Sequence, residues 1–247
     1  MDSDAARHSG EAERRPHAVL DLASRGTKAR KIERLLGLEG HGGRVRLLEI
    51  GCGSGGIADY FSRQSGYDVV AVDVLDQRQI RGGYEFRLLD DVDLPFPAAS
   101  FDVVISNHVV EHVGDGHRQL AHLRELARVL RPDGTGYLAV PNRWALIEPH
   151  FRVPLLSWLP RSMRTPYLRL VKGTHYDCNP LGPLELDALL RQAGLASHPM
   201  EAAALQAMLD LDELPRWIAA CVSWCPVAVR RAVQPMMPTL IRSLRPA

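Results

Sequence analysis

The sequence has few cysteines, few aromatic residues and almost no net charge, and each of these limits the class of protein. Four cysteines occur in 247 residues, and none forms a Cys-x-x-Cys pair. This excludes a disulfide-rich fold, and we predict no metal site. The formal net charge is +1, so no global attraction to nucleic acid or to an anionic membrane is expected.

Long apolar runs are also missing. No apolar stretch reaches the ~20 residues that cross a bilayer, and the first thirty residues are polar, without the apolar segment of a secretory signal. With unpaired cysteines, these absences predict a reducing, cytoplasmic setting. Hydrophobic residues make up 46% and charged residues 24% of the chain, an ordinary globular composition.

Short apolar runs alternate with amphipathic segments along the first two thirds of the chain. The runs predict buried strands at residues 45–50, 68–74, 86–89, 100–106 and 137–140. The periodic segments predict helices at residues 16–38, 57–65, 118–130 and 184–194. Strands alternating with helices across short turns favour a doubly wound, mostly parallel α/β sheet of the Rossmann-like type.

A glycine-rich turn directly follows the first predicted strand. Its spacing is Glu-x-Gly-x-Gly-x-Gly over Glu49, Gly51, Gly53 and Gly55, where glycine permits tight turns and close approach of a ligand to the backbone. The acidic residue suits a cationic ligand better than a phosphate. Asp73 ends the second strand about 20 residues later, a usual position for a carboxylate that binds ribose hydroxyls.

Four segments now follow in order: LLEIGCGSGG, VVAVDV, LLDDVDLPFPAASFDVVISNHVVEH and LRELARVLRPDGTGYLAVPN. In this combination the chain resembles class I S-adenosylmethionine-dependent methyltransferases of the ubiquinone-biosynthesis-like type. The resemblance covers about residues 45–142 and, more loosely, 184–194. It implies a seven-stranded sheet and S-adenosylmethionine as the cofactor.

The resemblance also implies roles for individual residues. Glu49, Gly51 and Gly53 would face the amino-acid part of the cofactor, with Gly55 completing the turn, and Asp73 would bind the ribose. Three further residues complete the expected cofactor site: Asp90 beside the adenine amine, Asp91 through its backbone N–H, and Asn107 near the methionine portion.

The methyl acceptor is expected to bind outside this core, in the stretch after the fifth strand. An oxygen acceptor usually needs a base, and histidine is the commonest base near neutral pH. The candidates are His108, His150 and His175, each with the alternative of a surface histidine. A nitrogen or carbon acceptor can dispense with a base.

The expected organisation has four parts: a disordered tail (1–15), a cofactor-binding core with an N-terminal helix (16–142), an acceptor-side lid with helical structure (143–183), and the end of the core with a C-terminal helical segment (184–247). Residues 153–160 and 217–229 are uncharged and contain tryptophan. They are interpreted as lid or core packing, with a membrane-facing or lipid-acceptor patch and a dimer interface as alternatives.

The predicted function is methyl transfer to a small molecule, by a monomer or homodimer, on an acceptor from a lipid-linked, glycan or secondary-metabolite pathway. RNA methylation is an alternative, disfavoured by the near-zero charge and the lack of an RNA-binding module. A degenerate, non-catalytic scaffold is disfavoured by the intact glycine turn, and a nucleotide-dependent oxidoreductase by Glu49.

Overall fold

A seven-stranded sheet forms the centre of the computed structural model, which describes residues 21–40, 42–211 and 237–247, with the single positions 217, 220, 221, 224 and 225. The strands are β1 (Val45–Ile50), β2 (Tyr67–Asp73), β3 (Glu85–Leu88), β4 (Phe101–Asn107), β5 (Leu130–Pro141), β6 (Leu195–Pro199) and β7 (Thr239–Pro246). The helices are α1 (Leu22–Leu36), α2 (Gly56–Ser62), α3 (Gly116–Val129), α4 (Arg161–Lys172), α5 (Pro183–Gln192) and α6 (Glu201–Asp210).

The strand order is β3-β2-β1-β4-β5-β7-β6, and β1 to β5 are parallel. The doubly wound, mostly parallel sheet predicted from the sequence is therefore confirmed. The chain runs outward from β1 to β3 on one side and from β4 to β5 on the other. This reversal opens a crevice at the carboxyl ends of β1 and β4, where ligands bind in open α/β sheets.

Helices cover both faces of the sheet, because alternate residues of each strand point to opposite sides. Leu48 and Val70 pack with Leu126 of α3 and Leu186 of α5. Residues one position earlier in the strands, Leu47 and Val69, pack on the other face with Ile32 of α1 and Phe61 of α2. The continuous apolar runs of the central strands follow from this burial on both faces.

The last two strands, β6 and β7, were not identified from the sequence, and of the described strands β7 alone runs antiparallel to the rest of the sheet. β7 inserts between β5 and β6 and pairs with both, so the core ends in a strand. It carries the buried Arg242, which pairs with Glu201 and donates to Asp187 at 3.1 Å. These carboxylates stabilise an arginine inside the sheet that the local sequence does not predict.

The region predicted as a lid is a compact cluster. Val153, Leu156 and Leu168 form its apolar centre, and Arg164 of α4 donates to the backbone oxygens of Ser157 and Leu159 at 2.9 Å. In the described ranges, no helix is both long and apolar enough to span a membrane.

Some predictions fall on positions that the structure does not describe. The tail at 1–15, the start of the helix predicted for 16–38 and most of the C-terminal helical segment lie outside the described residues. In the segment 217–229, Trp217 and Trp224 are described and are 70% and 89% exposed.

Candidate active site

Three parallel strands place predicted site residues at one edge of the sheet. Glu49 lies near the end of β1, Asp73 ends β2 and Asn107 ends β4. β1 lies between β2 and β4, and Ile50 pairs with Val72 on one side and with Ser106 on the other. The fold therefore brings the predicted cofactor residues of β1, β2 and β4 to the same crevice.

The glycine turn has the backbone that only glycine adopts freely. Gly51, Gly53 and Gly55 have φ angles of 74°, 53° and 80°, in the left-handed region. A Cβ atom at Gly51 would collide with Val109, and one at Gly55 would lie 2.9 Å from the Ile80 carbonyl oxygen. These two glycines are therefore required by the chain's own packing as well as by any ligand.

Glu49 is a buried acid without a full set of partners. Its side chain is 2% exposed, and Oε2 makes no hydrogen bond in the described structure. Burial raises the pKa of Glu49 to about 8, because a carboxylate is poorly solvated there. A cation that approached Oε2 would supply the missing partner and favour the ionised form.

Asp73 fixes the glycine turn to the end of β2. Its Oδ2 accepts the N–H of Gly53 at 2.8 Å, and Oδ1 accepts the N–H of Leu75 at 3.2 Å. The carboxylate is half-buried. It therefore holds the turn against the end of β2.

Asp90 and Asp91 follow β3 on an exposed bend. The Asp91 side chain forms an ion pair with Arg118, and its Oδ1 accepts the backbone N–H of Val92 at 2.7 Å. Leu89, the residue before Asp90, donates its backbone N–H to the backbone carbonyl oxygen of Asp73 at 2.8 Å. The bend thus adjoins Asp73, while the Asp91 side chain is engaged with α3.

Asn107 and His108 lie where β4 leaves the sheet. Asn107 is buried, and its Nδ2 has no hydrogen-bond partner in the described structure. His108 adopts a φ of 59°, a strained conformation for a non-glycine residue that is often found at functional sites. Its backbone N–H donates to the Ala139 oxygen at 2.8 Å, which fixes it to β5.

The side chain of His108 contacts a carboxylate that lies at the centre of a second cluster. Glu111 is 1% exposed, and its Oε1 lies 3.2 Å from His108 Nδ1 and 3.3 Å from His150 Nε2. Burial alone would raise the pKa of Glu111, but the hydrogen bonds from the two histidines hold it below its ordinary value. Oε2 of Glu111 is buried and has no partner in the described structure.

The two histidines differ in charge because their surroundings differ. Burial lowers the pKa of His108 below 6.5 although Glu111 opposes the shift, so this ring is neutral at pH 7. His150 lies between two buried carboxylates, with Nδ1 3.1 Å from Glu148 Oε1. Burial alone would lower its pKa, but the bonds to Glu111 and Glu148 raise the pKa of His150 to about 9.

The same cluster has the donor types of a metal site. Two sets of side chains have ligand atoms within 4.8 Å of one another: His108, Glu111 and His150, and His112, His150 and Cys178. Burial raises the pKa of the Cys178 thiol, while a metal needs the thiolate. These donor sets do not by themselves show whether a metal binds, and our prediction of no metal site stays a prediction.

His175 does not join this cluster. Its ring lies on the surface, 2.9 Å from Arg169 Nη2. An exposed histidine beside an arginine has no buried acid to orient its ring. Of the three histidines predicted as bases, the structure brings together His108 and His150 only.

Sequence reasoning gave too little weight to the acids. Glu111 orients both histidines, and Glu148 accepts the N–H of Phe151 at 2.6 Å as well as binding His150. Glu111 lies three residues after His108, which is the only local indication of their contact. Glu148 lies two residues before His150, whereas Cys178 reaches the cluster through tertiary packing alone.

Comparison with known proteins agrees with the methyltransferase predicted from the sequence. The family model described as a methyltransferase domain matches residues 15–198. The chain belongs to this methyltransferase family. This membership, together with the relatives described next, confirms the prediction of a class I S-adenosylmethionine-dependent methyltransferase of the ubiquinone-biosynthesis-like type.

Two curated relatives of this methyltransferase are ubiquinone biosynthesis O-methyltransferases. The one from Cereibacter sphaeroides is 32% identical over 61% of this chain and 60% of its own length. The one from Ruegeria pomeroyi is 32% identical over 68% of this chain and 66% of its own. The chain therefore spans about two thirds or less of these relatives.

A solved structure shows the same fold. An S-adenosylmethionine-dependent methyltransferase from Mesorhizobium loti superimposes with a TM-score of 0.56, covering 91% of this chain and 100% of that one at 17% identity.

Proposed function

We propose that this methyltransferase transfers the methyl group of S-adenosylmethionine to a phenolic oxygen of a small, lipophilic acceptor. The observation that carries the proposal is the pair of His108 and Glu111. A neutral imidazole is oriented by a buried carboxylate and follows directly on Asn107, at the carboxyl edge of the sheet. This is the arrangement of a general base next to a cofactor crevice.

The cofactor fits the residues of that crevice. Glu49 Oε2 and Asn107 Nδ2 are a buried acceptor and a buried donor without partners, suited to the ammonium and carboxylate of the methionine portion. Asp73 would bind the ribose hydroxyls, with Asp90 and Asp91 beside the adenine. When bound, S-adenosylmethionine supplies an electrophilic methyl group on a sulfonium, and the chain mainly holds the acceptor in line with it.

His108 acts as the base through Nε2. Its Nδ1 faces Glu111 and carries the proton of their hydrogen bond, which leaves the Nε2 lone pair free. With the cofactor bound, the acceptor oxygen would take the methyl group as the methyl–sulfur bond breaks and its electron pair goes to sulfur. The acceptor hydroxyl would give its proton to Nε2, and the electron pair of the O–H bond would stay on oxygen. The ring becomes imidazolium beside Glu111, whose negative charge stabilises it.

The weak basicity of His108 selects the acceptor. Its pKa lies below 6.5, so it removes a proton readily only from a fairly acidic hydroxyl. A phenol, with a pKa of roughly 10, meets this condition far better than an alkyl alcohol. The names of the two relatives, which refer to ubiquinone biosynthesis and O-methylation, support a lipophilic ring as acceptor.

The test uses the full chain in two measurements. Calorimetric titration with S-adenosylhomocysteine should give micromolar binding, and NADH, as the control, should give none. Incubation with S-adenosylmethionine and a series of 4-alkylcatechols should yield mono-O-methyl products by mass spectrometry, faster as the alkyl chain lengthens. Cofactor binding without methylation of any catechol, but with methylation of an amine or an RNA, would overturn the phenolic proposal.

A further inference from the structure

Exposed apolar side chains concentrate in one part of the chain. Of the thirteen large hydrophobic residues that are exposed among the described residues, eight lie within residues 144–171. On α4, Met163, Pro166 and Leu170 are exposed at positions i, i+3 and i+7, which lie on one side of a helix. Leu170 is 86% exposed.

The opposite side of α4 already has its core contacts. Leu168 packs with Val153 and Leu156, and Arg164 is held by two backbone carbonyls. The apolar residues on the outer side are therefore additional to those the fold needs. Such a surplus on a surface helix indicates a binding surface.

The same stretch carries charge of one sign only. Residues 149–176 contain five basic residues and no acidic residue. Four of the five are exposed: Arg152, Arg161, Arg169 and Lys172. Arg161 and Lys172 are the first and last residues of α4, so their long side chains lie at the two ends of the apolar stripe and can extend past it. Basic residues beside an exposed apolar stripe are the pattern of a helix that lies in the interface of an anionic membrane.

Tryptophan extends this surface next to α4. Trp158, in the turn Leu156–Trp158 before the helix, meets Trp144 edge to face, with ring centroids 5.8 Å apart. Each is 45% exposed. Trp158 donates its ring N–H to the Ala145 oxygen at 3.1 Å, which fixes its position. Tryptophan is favoured at the boundary between lipid headgroups and acyl chains.

We infer that the α4 surface, defined as Leu155, Trp158 and the exposed residues of α4, docks on the surface of an anionic phospholipid bilayer. Met163 and Leu170 enter the acyl boundary, while Arg161 and Lys172 meet the lipid phosphates. The inference rests on the proposed function, because docking would bring the enzyme to a bilayer in which its lipophilic acceptor is concentrated.

A cavity next to this surface reaches Cys178 of the cluster around Glu111. It has a volume of about 160 Å³ and lies between α4 and residues 176–179, lined by Arg161, Thr165, Tyr176 and Cys178 among others. The Sγ atom of Cys178 lies 3.9 Å from His112 Nδ1. An acceptor ring entering beside α4 would thus approach the cluster around Glu111.

The first test compares vesicles of phosphatidylcholine with vesicles of an equimolar mixture of phosphatidylcholine and phosphatidylglycerol. The full chain should sediment with the mixed vesicles only, and Leu170→Asp should weaken this binding by roughly tenfold or more. Leu184→Asp is the matched control, because Leu184 is 84% exposed on α5, and it should bind like the parent protein. Equal effects of the two substitutions would overturn the inference.

The second test removes charge. Arg161→Gln with Lys172→Gln should weaken binding to the mixed vesicles by roughly 30-fold. Arg124→Gln with Arg191→Gln, at exposed positions on α3 and α5, should leave it unchanged. If both pairs bind alike, the charges of the α4 surface are not recognised and the inference is wrong.

The same variants would reveal two other possible binding partners of the α4 surface. If light scattering shows a dimer that Leu170→Asp dissociates, and vesicles are not bound, the surface is a contact between copies. If the Arg161 and Lys172 variant loses affinity for RNA and no vesicle is bound, the partner is a nucleic acid. Titration with S-adenosylhomocysteine without vesicles checks that each variant is folded, and the catechol assay without vesicles tests the proposed function separately.

Discussion

The glycine turn and the cluster around Glu111 adjoin the same edge of the sheet, yet different interactions hold them. In the turn, backbone N–H groups and positive φ angles create the shape, as in the bond from Gly53 to Asp73. In the cluster, side chains from three segments of the chain meet: His108 with Glu111, His150, and Cys178. The first region is built from neighbours in sequence and the second by tertiary packing.

This difference matches the chemistry expected of each region. A cofactor shared by a whole family needs a constant shape, which glycines and backbone groups supply. An acceptor that differs between enzymes needs side chains whose charge is set by their surroundings, such as the opposite pKa shifts of His108 and His150. The two regions should therefore respond differently to substitution.

The largest effect is expected at His108. His108→Ala should lower the turnover number for catechol methylation by roughly 100- to 10,000-fold, the usual contribution of a general base, while the affinity for S-adenosylhomocysteine stays unchanged. The parent enzyme should gain kcat/KM as the pH rises and level off above the pKa of His108, which lies below 6.5, because the base must be neutral.

His175→Ala is the matched control, since His175 lies on the surface beside Arg169. It should leave both turnover and cofactor affinity unchanged. An equal loss of turnover in the two variants, or a loss of cofactor affinity in His108→Ala, would remove the distinction between the two regions.

The next effect is expected at Asp73. Asp73→Ala should weaken binding of S-adenosylhomocysteine by roughly 1–3 kcal/mol, the cost of unmade bonds to a charged group, without moving the pH profile of turnover. Calorimetry measures the affinity. Asp68→Ala, at the amino end of the same strand β2, is the control. Unchanged affinity in Asp73→Ala would contradict its assignment to the ribose.

The smallest effect is expected at Glu49, and it depends on pH. The folded chain holds the pKa of Glu49 at about 8, so this acid is mostly protonated at pH 7. A cofactor ammonium needs the ionised form, and affinity should rise roughly fivefold between pH 7 and pH 8 with release of about one proton.

Calorimetry in buffers of different ionisation enthalpy measures that proton. Glu49→Gln should bind the cofactor with an affinity that no longer changes over this range. If the parent protein releases no proton on binding, Glu49 does not face the ammonium group.

The histidines show where prediction from sequence stopped. His108, His150 and His175 were equal candidates because each is a histidine in or beside the acceptor region. Their burial and their carboxylate partners separate them, and those depend on contacts such as that of Glu111 with His150, 39 residues apart in the chain. No local pattern reports desolvation by residues that distant.

Local sequence patterns suffice to predict β1 to β5, the glycine turn and the edge of the sheet at which Glu49, Asp73 and Asn107 meet. These features depend on hydrophobic period and on glycine, which act over a few residues. Long-range packing inserts β7 between β5 and β6 around the buried Arg242. It also decides which histidine is neutral, because the charge of a side chain follows from the burial and partners that the packed chain gives it.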